Sequence, residues 1–141
     1  MPSSTRRRLF LTSVEMEIPF HDIDALRIVW HGHYYKYFEI ARTQLFRERG
    51  IFDVLKRADY TLVVIESQAR YIAPLEFGDR IRVHAWLKDT ELRVNVAYEI
   101  ENLTRGGRVC RGHTILATVT SQQSILLETP RELKDCLAES S

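Results

Sequence analysis

One stretch of this chain spaces its apolar residues at the period of a helix, and nearly all that surrounds it spaces them at the period of a strand. Tyr34, Phe38, Ala41 and Leu45 recur every three or four residues, with Tyr37 widening the stripe, while Lys36, Glu39, Thr43 and Arg47 fall opposite. The spacing predicts an amphipathic helix over 34–49 that ends near Gly50. It makes about four turns at about 3.6 residues per turn, long enough to lie across a sheet. Before it, Val14, Met16 and Ile18 alternate with Ser13, Glu15 and Glu17 until Pro19, which is the pattern of a half-buried strand.

After the helix the period stays at two. Val63, Ile65, Ser67, Ala69 and Tyr71 are expected to share one face of a strand that Pro74 terminates, and Ile81, Val83, Ala85 and Leu87 one face of the next. Leu92, Val94, Val96, Tyr98 and Ile100 form a third run, 109–120 and 124–127 are two further candidates, and Pro130 opens a short helix through about Leu137. Asp89-Thr90-Glu91 and Thr104-Arg105-Gly106-Gly107 read as turns, so consecutive hairpins are the economical connection. The expected class is α+β: one strand, one long helix, then four or five strands in an antiparallel meander with the helix covering one sheet face.

With 141 residues, 45% of them hydrophobic, the chain can bury one core, and a single domain over 1–141 with its core at about 13–137 is expected. A net charge of +1 from 20 basic and 19 acidic residues gives no reason to expect a nucleic acid or an anionic membrane as partner. Leu9-Phe10-Leu11 is too short for the apolar region of a signal peptide, and no run approaches the length of a membrane span, so a soluble cytoplasmic protein is expected. Cys110 and Cys136 lack metal or redox spacing, and no chemistry is assigned to them.

The chemically dense segment is Phe20-His21-Asp22-Ile23-Asp24-Ala25-Leu26-Arg27-Ile28-Val29-Trp30-His31-Gly32-His33-Tyr34, with two carboxylates, three imidazoles and a helix start. A carboxylate beside a helix N-terminus suits acyl transfer, because it can attack a carbonyl or activate water while backbone N–H groups stabilise the oxyanion. No cofactor is needed. The plainer reading of Asp24 is a loop carboxylate that favours the helix dipole. Asp22, two residues away, reads as structural or solvated. The histidines with Asp22 and Asp24 also offer imidazole and carboxylate ligands of the kind zinc and manganese take, but at no recognised spacing, and no metal is expected.

This segment resembles the hotdog-fold thioesterases of the 4-hydroxybenzoyl-CoA thioesterase and YbgC-like group, through Asp22-Ile23-Asp24, Ile28-Val29-Trp30, His31 and the helix opening Tyr34-Tyr35-Lys36-Tyr37-Phe38-Glu39. Tyr71-Ile72-Ala73-Pro74 with Phe77-Gly78-Asp79, and Thr129-Pro130 through Leu133, resemble further signatures of the group. The resemblance implies a hotdog fold, with an antiparallel sheet of five or six strands wrapped around one long central helix. It implies hydrolysis of an acyl-CoA thioester, with acyl-ACP as the alternative carrier and a non-catalytic acyl-CoA-binding module as the alternative role. By the same resemblance Asp24 is the catalytic nucleophile or base. His31, seven residues on, is the active-site histidine, and its backbone N–H polarises the oxyanion. Ile28, Val29, Trp30 and Gly32 are implied as substrate-binding, with Ser67 as a polar neighbour from a facing sheet, in a homodimer or homotetramer. Arg27 stands where the group usually has glycine, His33 where asparagine is common, and Phe20 where relatives can carry tyrosine.

Overall fold

The computed structural model describes residues 8–138. Five strands form one antiparallel sheet: β1 (Leu9–Glu17), β2 (Thr61–Tyr71), β3 (Arg80–Asp89), β4 (Val94–Asn102) and β5 (Arg108–Val119). Among the described residues three helices accompany them, α1 (His33–Glu48), α2 (Ile51–Ala58) and α3 (Arg131–Cys136). Among the described residues no helix is long and apolar enough to cross a membrane.

The spatial order is β1-β3-β4-β5-β2. Only β3, β4 and β5 form the expected hairpins. β2 does not join β3: it lies at the far edge, beside β5. The segment 72–79 carries the chain across the end of the sheet, where Pro74 has no N–H for a ladder and Gly78 turns with φ 83°. The segment 124–127 contributes one isolated bridge, Val119 to Ile125, rather than a strand.

Two further expectations are corrected. Val63, Ile65, Ser67, Ala69 and Tyr71 do not share a face, because a bulge between Val64 and Glu66 inserts Ile65 as an extra residue. Cross-strand partners lie on the same face, so Leu62 and Val64, opposite Thr118 and Leu116, stand with Ser67, Ala69 and Tyr71, opposite Thr114, Gly112 and Cys110. Strand pattern also does not follow Gly50 directly. Gly50 adopts φ 71° and the chain turns into α2, whose Ile51 and Val54 are buried.

The core lies between α1 and one sheet face. Tyr34, Tyr37, Phe38, Ala41, Leu45 and Phe46 are the buried side of α1, and Ile81, Val83, Ala85, Val96, Tyr98 and Ile100 belong to the same cluster. Phe38 stacks on Tyr98 with ring centroids 4.4 Å apart. Gly112 makes this possible: a Cβ there would lie 2.6 Å from the Phe38 ring and 2.4 Å from the Gln68 carbonyl oxygen. The opposite face is polar. Arg82 bridges Glu15 at 3.2 Å and Glu101 at 3.5 Å, and His84 joins Ser13 at 2.6 Å to Glu101 at 3.0 Å.

Candidate active site

Everything between Pro19 and α1 is built to hold a short loop against the helix start. Phe20–Asp22 forms a 3-10 turn, and Ile23 and Val29 pair as an antiparallel bridge, which closes the intervening residues into a tight turn. Within it the Asp24 N–H donates to the Ile28 carbonyl at 2.9 Å, and the Arg27 N–H donates to the Asp24 carbonyl at 2.9 Å. Arg27 adopts φ 67°, the left-handed conformation that favours glycine. The turn that glycine normally makes is therefore present with arginine in its place. Val29 fastens the loop to the crossover segment, its N–H donating to the Leu75 carbonyl at 2.8 Å.

Asp22 and Asp24 have opposite surroundings. Asp22 is 1% exposed: Lys36 Nζ donates to its two oxygens at 2.7 and 2.8 Å, and the Tyr37 hydroxyl donates to Oδ2 at 2.6 Å. Burial acts to raise its pKa, but the hydrogen bonds from Lys36 and Tyr37 and the Lys36 charge outweigh burial and hold it below the usual carboxylate range. The Tyr37 phenol is pushed far up by burial and by its bond to Asp22. Asp22 is thus a strut from the loop to the first turn of α1. Asp24 is half-buried, and its Oδ1 accepts the Leu26 N–H at 2.8 Å. Its Oδ2 accepts no hydrogen bond among the described residues. His21 and His33 approach Asp22 at 3.5 and 4.0 Å, yet among the described residues no three histidine, cysteine or acidic side chains are grouped to hold a metal ion.

Helix α1 begins at His33, and the two peptides before it are pinned by their carbonyls. The His33 N–H donates to the Trp30 carbonyl at 2.9 Å; the His31 carbonyl accepts the Tyr34 N–H at 3.3 Å and the Tyr71 hydroxyl at 3.0 Å. The N–H groups of His31 and Gly32 donate to no acceptor among the described residues. The His31 ring is exposed, with its centroid 5.3 Å from the Trp30 ring and 5.8 Å from the Tyr71 ring. Gly32 is needed for sterics rather than for its backbone, since a Cβ there would lie 2.2 Å from the Trp30 indole.

Asp24, Ile28, Val29, Trp30, His31 and Gly32 thus lie on one loop that ends at the α1 N-terminus. Ile28 is half-buried and Trp30 exposed, while Val29, 3% exposed, belongs to the core. Ser67 is exposed on β2, on the same side as Tyr71, and sits apart from this loop in the chain. The sequence marks Tyr71 as a strand residue and as part of the Tyr71-Ile72-Ala73-Pro74 signature, without joining it to His31. Forty residues separate it from His31, and no spacing rule joins them.

Residues 18–137 match the thioesterase-like superfamily. The chain belongs to this superfamily. Among its relatives, the protein named "Putative acyl-CoA thioesterase YneP" of Bacillus subtilis (strain 168) is 26% identical over 82 residues, which is 57% of this chain and 59% of that protein. The chain spans about six tenths of the length of the curated relatives it matches. The thioesterase-like fold is shared with Slr0204, a 1,4-dihydroxy-2-naphthoyl-CoA thioesterase from Synechocystis, at TM-score 0.78 and 15% identity over 90% of this chain and 95% of that one. It is shared equally with a mutant 4-hydroxybenzoyl CoA thioesterase complexed with 4-hydroxybenzoyl CoA, at TM-score 0.78 and 15% identity over 92% and 99%. The architecture of this thioesterase-like chain is the hotdog fold, α+β, with α1 against one face of a five-stranded antiparallel sheet.

Proposed function

We propose that this chain is an acyl-CoA thioesterase, releasing a carboxylic acid and the free thiol of coenzyme A. In this reading Asp24 acts as nucleophile or as general base for water, and backbone N–H groups at the start of α1, His31 first, stabilise the oxyanion. The observation that carries the reading is the contrast between the two carboxylates on a loop whose far end, at the α1 start, carries unengaged N–H donors. Both oxygens of Asp22 are committed to Lys36 and Tyr37, whereas Asp24 is aimed by one bond to Oδ1 and keeps Oδ2 open. A carboxylate oriented by one oxygen and free at the other suits attack or proton abstraction. Removal of an oxyanion donor typically costs about 100- to 1,000-fold in kcat, so the His31 N–H is a principal part of the site. Superfamily membership and the acyl-CoA thioesterase name of a relative support the substrate class.

In the same reading Ile28, Trp30 and Gly32 border the acyl site, with Val29 behind them in the core. The site is completed by pairing two subunits along β2. That edge strand leaves one side of its backbone unpaired and exposes Val64, Ile65 and Tyr71, with Ile72 just beyond. Ser67, exposed on this strand and on the face it shares with Tyr71, is the polar group assigned to the facing subunit's site.

The test is thiol release from a panel of aromatic, short, medium and long acyl-CoAs by wild type and Asp24→Asn, with the matching acyl-ACP alongside. The expected result is turnover of at least one acyl-CoA and a loss of kcat of about 100-fold or more in the variant. Activity within a few fold of wild type in Asp24→Asn would overturn the assignment. Binding of acyl-CoA with no thiol released by wild type would make the chain a binding module instead.

A further inference from the structure

The peptide joining His31 to Gly32 is held from outside the loop. Its carbonyl oxygen accepts the Tyr71 hydroxyl at 3.0 Å from the edge strand β2, as well as the Tyr34 N–H at 3.3 Å. All peptide bonds described are trans, so the Gly32 N–H of this same planar unit points away from the Tyr71 hydroxyl. It meets no acceptor among the described residues. A hydrogen bond to a peptide oxygen draws charge through the amide and makes the N–H on the other side a stronger donor. The Tyr71 ring lies 5.0 Å from the ring of Tyr34 in the buried stripe of α1 and 5.8 Å from the His31 ring. These ring contacts seat the side chain together with the hydroxyl bond.

We propose that Tyr71 is a positioning residue of the oxyanion site: its hydroxyl fixes and polarises the His31–Gly32 peptide so that the Gly32 N–H serves as a second oxyanion donor beside the His31 N–H. This inference rests on the acyl-thioesterase reading above. It adds a residue from a distant strand and a second backbone donor to that site. Partial burial of the phenol, reinforced by Tyr35, raises the Tyr71 pKa, so the hydroxyl remains a donor across neutral pH.

The experiment compares wild type, Tyr71→Phe, Asp24→Asn and a protein carrying 3-fluorotyrosine, a more acidic phenol, at position 71 alone. Tyr71→Phe keeps the ring and removes only the donor. Its expected effect is a fall in kcat of about three- to tenfold, the range of one neutral hydrogen bond. KM should stay within about twofold, because the interaction strengthens only as charge develops on the substrate oxygen. The thermal midpoint should change by less than about 2 °C. The fluorinated protein should turn over faster than wild type, an ordering that a purely structural role does not produce. In both substituted proteins the Gly32 amide nitrogen resonance should shift more than those of other loop residues, in opposite directions. Full kcat in Tyr71→Phe alongside collapse in Asp24→Asn would refute the role of Tyr71 and leave the thioesterase reading standing. Should Asp24→Asn retain turnover, the reading of Asp24 fails on its own, and the Gly32 resonance still decides whether Tyr71 polarises that peptide.

Discussion

Substitution of Gly32 by alanine sets two physical effects against each other at the entrance to α1. Gly32 has φ −63° and ψ −24°, a right-handed helical conformation open to any residue. On backbone grounds alone, alanine should stabilise by about 0.4–1 kcal/mol, because it restricts the unfolded chain. Against this, the new Cβ would lie 2.2, 2.4 and 2.7 Å from three atoms of the Trp30 indole, and the ring must leave. Trp30 is 50% exposed, so the ring can swing into solvent instead of straining the backbone, and the loss is limited to its covered half. An indole buries about 150–250 Å² in full. Half of that, at about 25 cal/mol per Å², is about 2–3 kcal/mol. The net expectation is destabilisation by about 1–2.5 kcal/mol. Urea unfolding measures the balance, and tryptophan emission follows the ring directly, because Trp30 and Trp86 are the only two indoles. Emission should move to the red, and kcat/KM should fall as the wall beside His31 is lost. A stabilised variant with unchanged emission would show that the indole does not depend on glycine at this position, and the steric argument would be wrong.

Three other substitutions probe the supports of the loop and core. Arg27→Gly should stabilise by about 0.5–1 kcal/mol, since a side chain in the left-handed region costs about 1–2 kcal/mol and the freedom of glycine returns about half of that; a lower urea midpoint would show that the arginine side chain itself holds the turn. Asp22→Asn should cost about 1.5–3 kcal/mol at neutral pH through its bonds to charged Lys36 and to Tyr37. Because folding lowers the pKa of Asp22 from its ordinary 3.8, that stability is fully present above this value and is lost as pH falls through the lower folded value, so melting curves of wild type and variant should converge only below about pH 4. Gly112→Ala should destabilise by about 1–3 kcal/mol by overpacking, because its Cβ meets the Gln68 backbone as well as the Phe38 ring; loss of near-ultraviolet circular dichroism from the Phe38–Tyr98 stack is the accompanying sign.

Periodicity carried most of the fold because α1 and the three central strands each bury one face of regular spacing. The stripe from Tyr34 to Leu45 and the alternations in β3 and β4 are the same residues that form the core. It failed where one residue changed the phase. The extra Ile65 moves Val63 off the face that Ser67 shares, and a parity argument that assumes an unbroken ladder cannot detect this. The short α2 carried a signal at Ile51, Val54, Leu55 and Ala58, but eight residues make only about two turns, too few repeats for the period to stand out after the helix end at Gly50. The position of β2 beside β5 is a long-range choice. Both edges of a three-stranded meander are open, and local pattern does not decide which one a preceding strand occupies.

The loop illustrates how far a local pattern can carry a site. Two aspartates two residues apart on extended chain would face the same way, so their separation into an anchored and an available carboxylate comes from the 3-10 turn over Phe20–Asp22 and the tight turn closed by the Ile23–Val29 bridge, and spacing alone does not reveal it. Which of them is anchored depends on Lys36 and Tyr37, one turn into a helix whose register had first to be set by Tyr34 and Phe38. Arg27 sharpens the point. The left-handed turn persists with a residue that disfavours it, so the bonds among Asp24, Leu26, Arg27 and Ile28, together with the Ile23–Val29 bridge, outweigh a local cost of about 1–2 kcal/mol. In the proposed thioesterase reading, what this strain preserves is the direction of the Asp24 carboxylate, which the same turn fixes through the Leu26 N–H. Arg27→Gly should therefore raise stability while leaving turnover nearly unchanged, and a large change in kcat from that substitution would give the guanidinium a direct part in the chemistry.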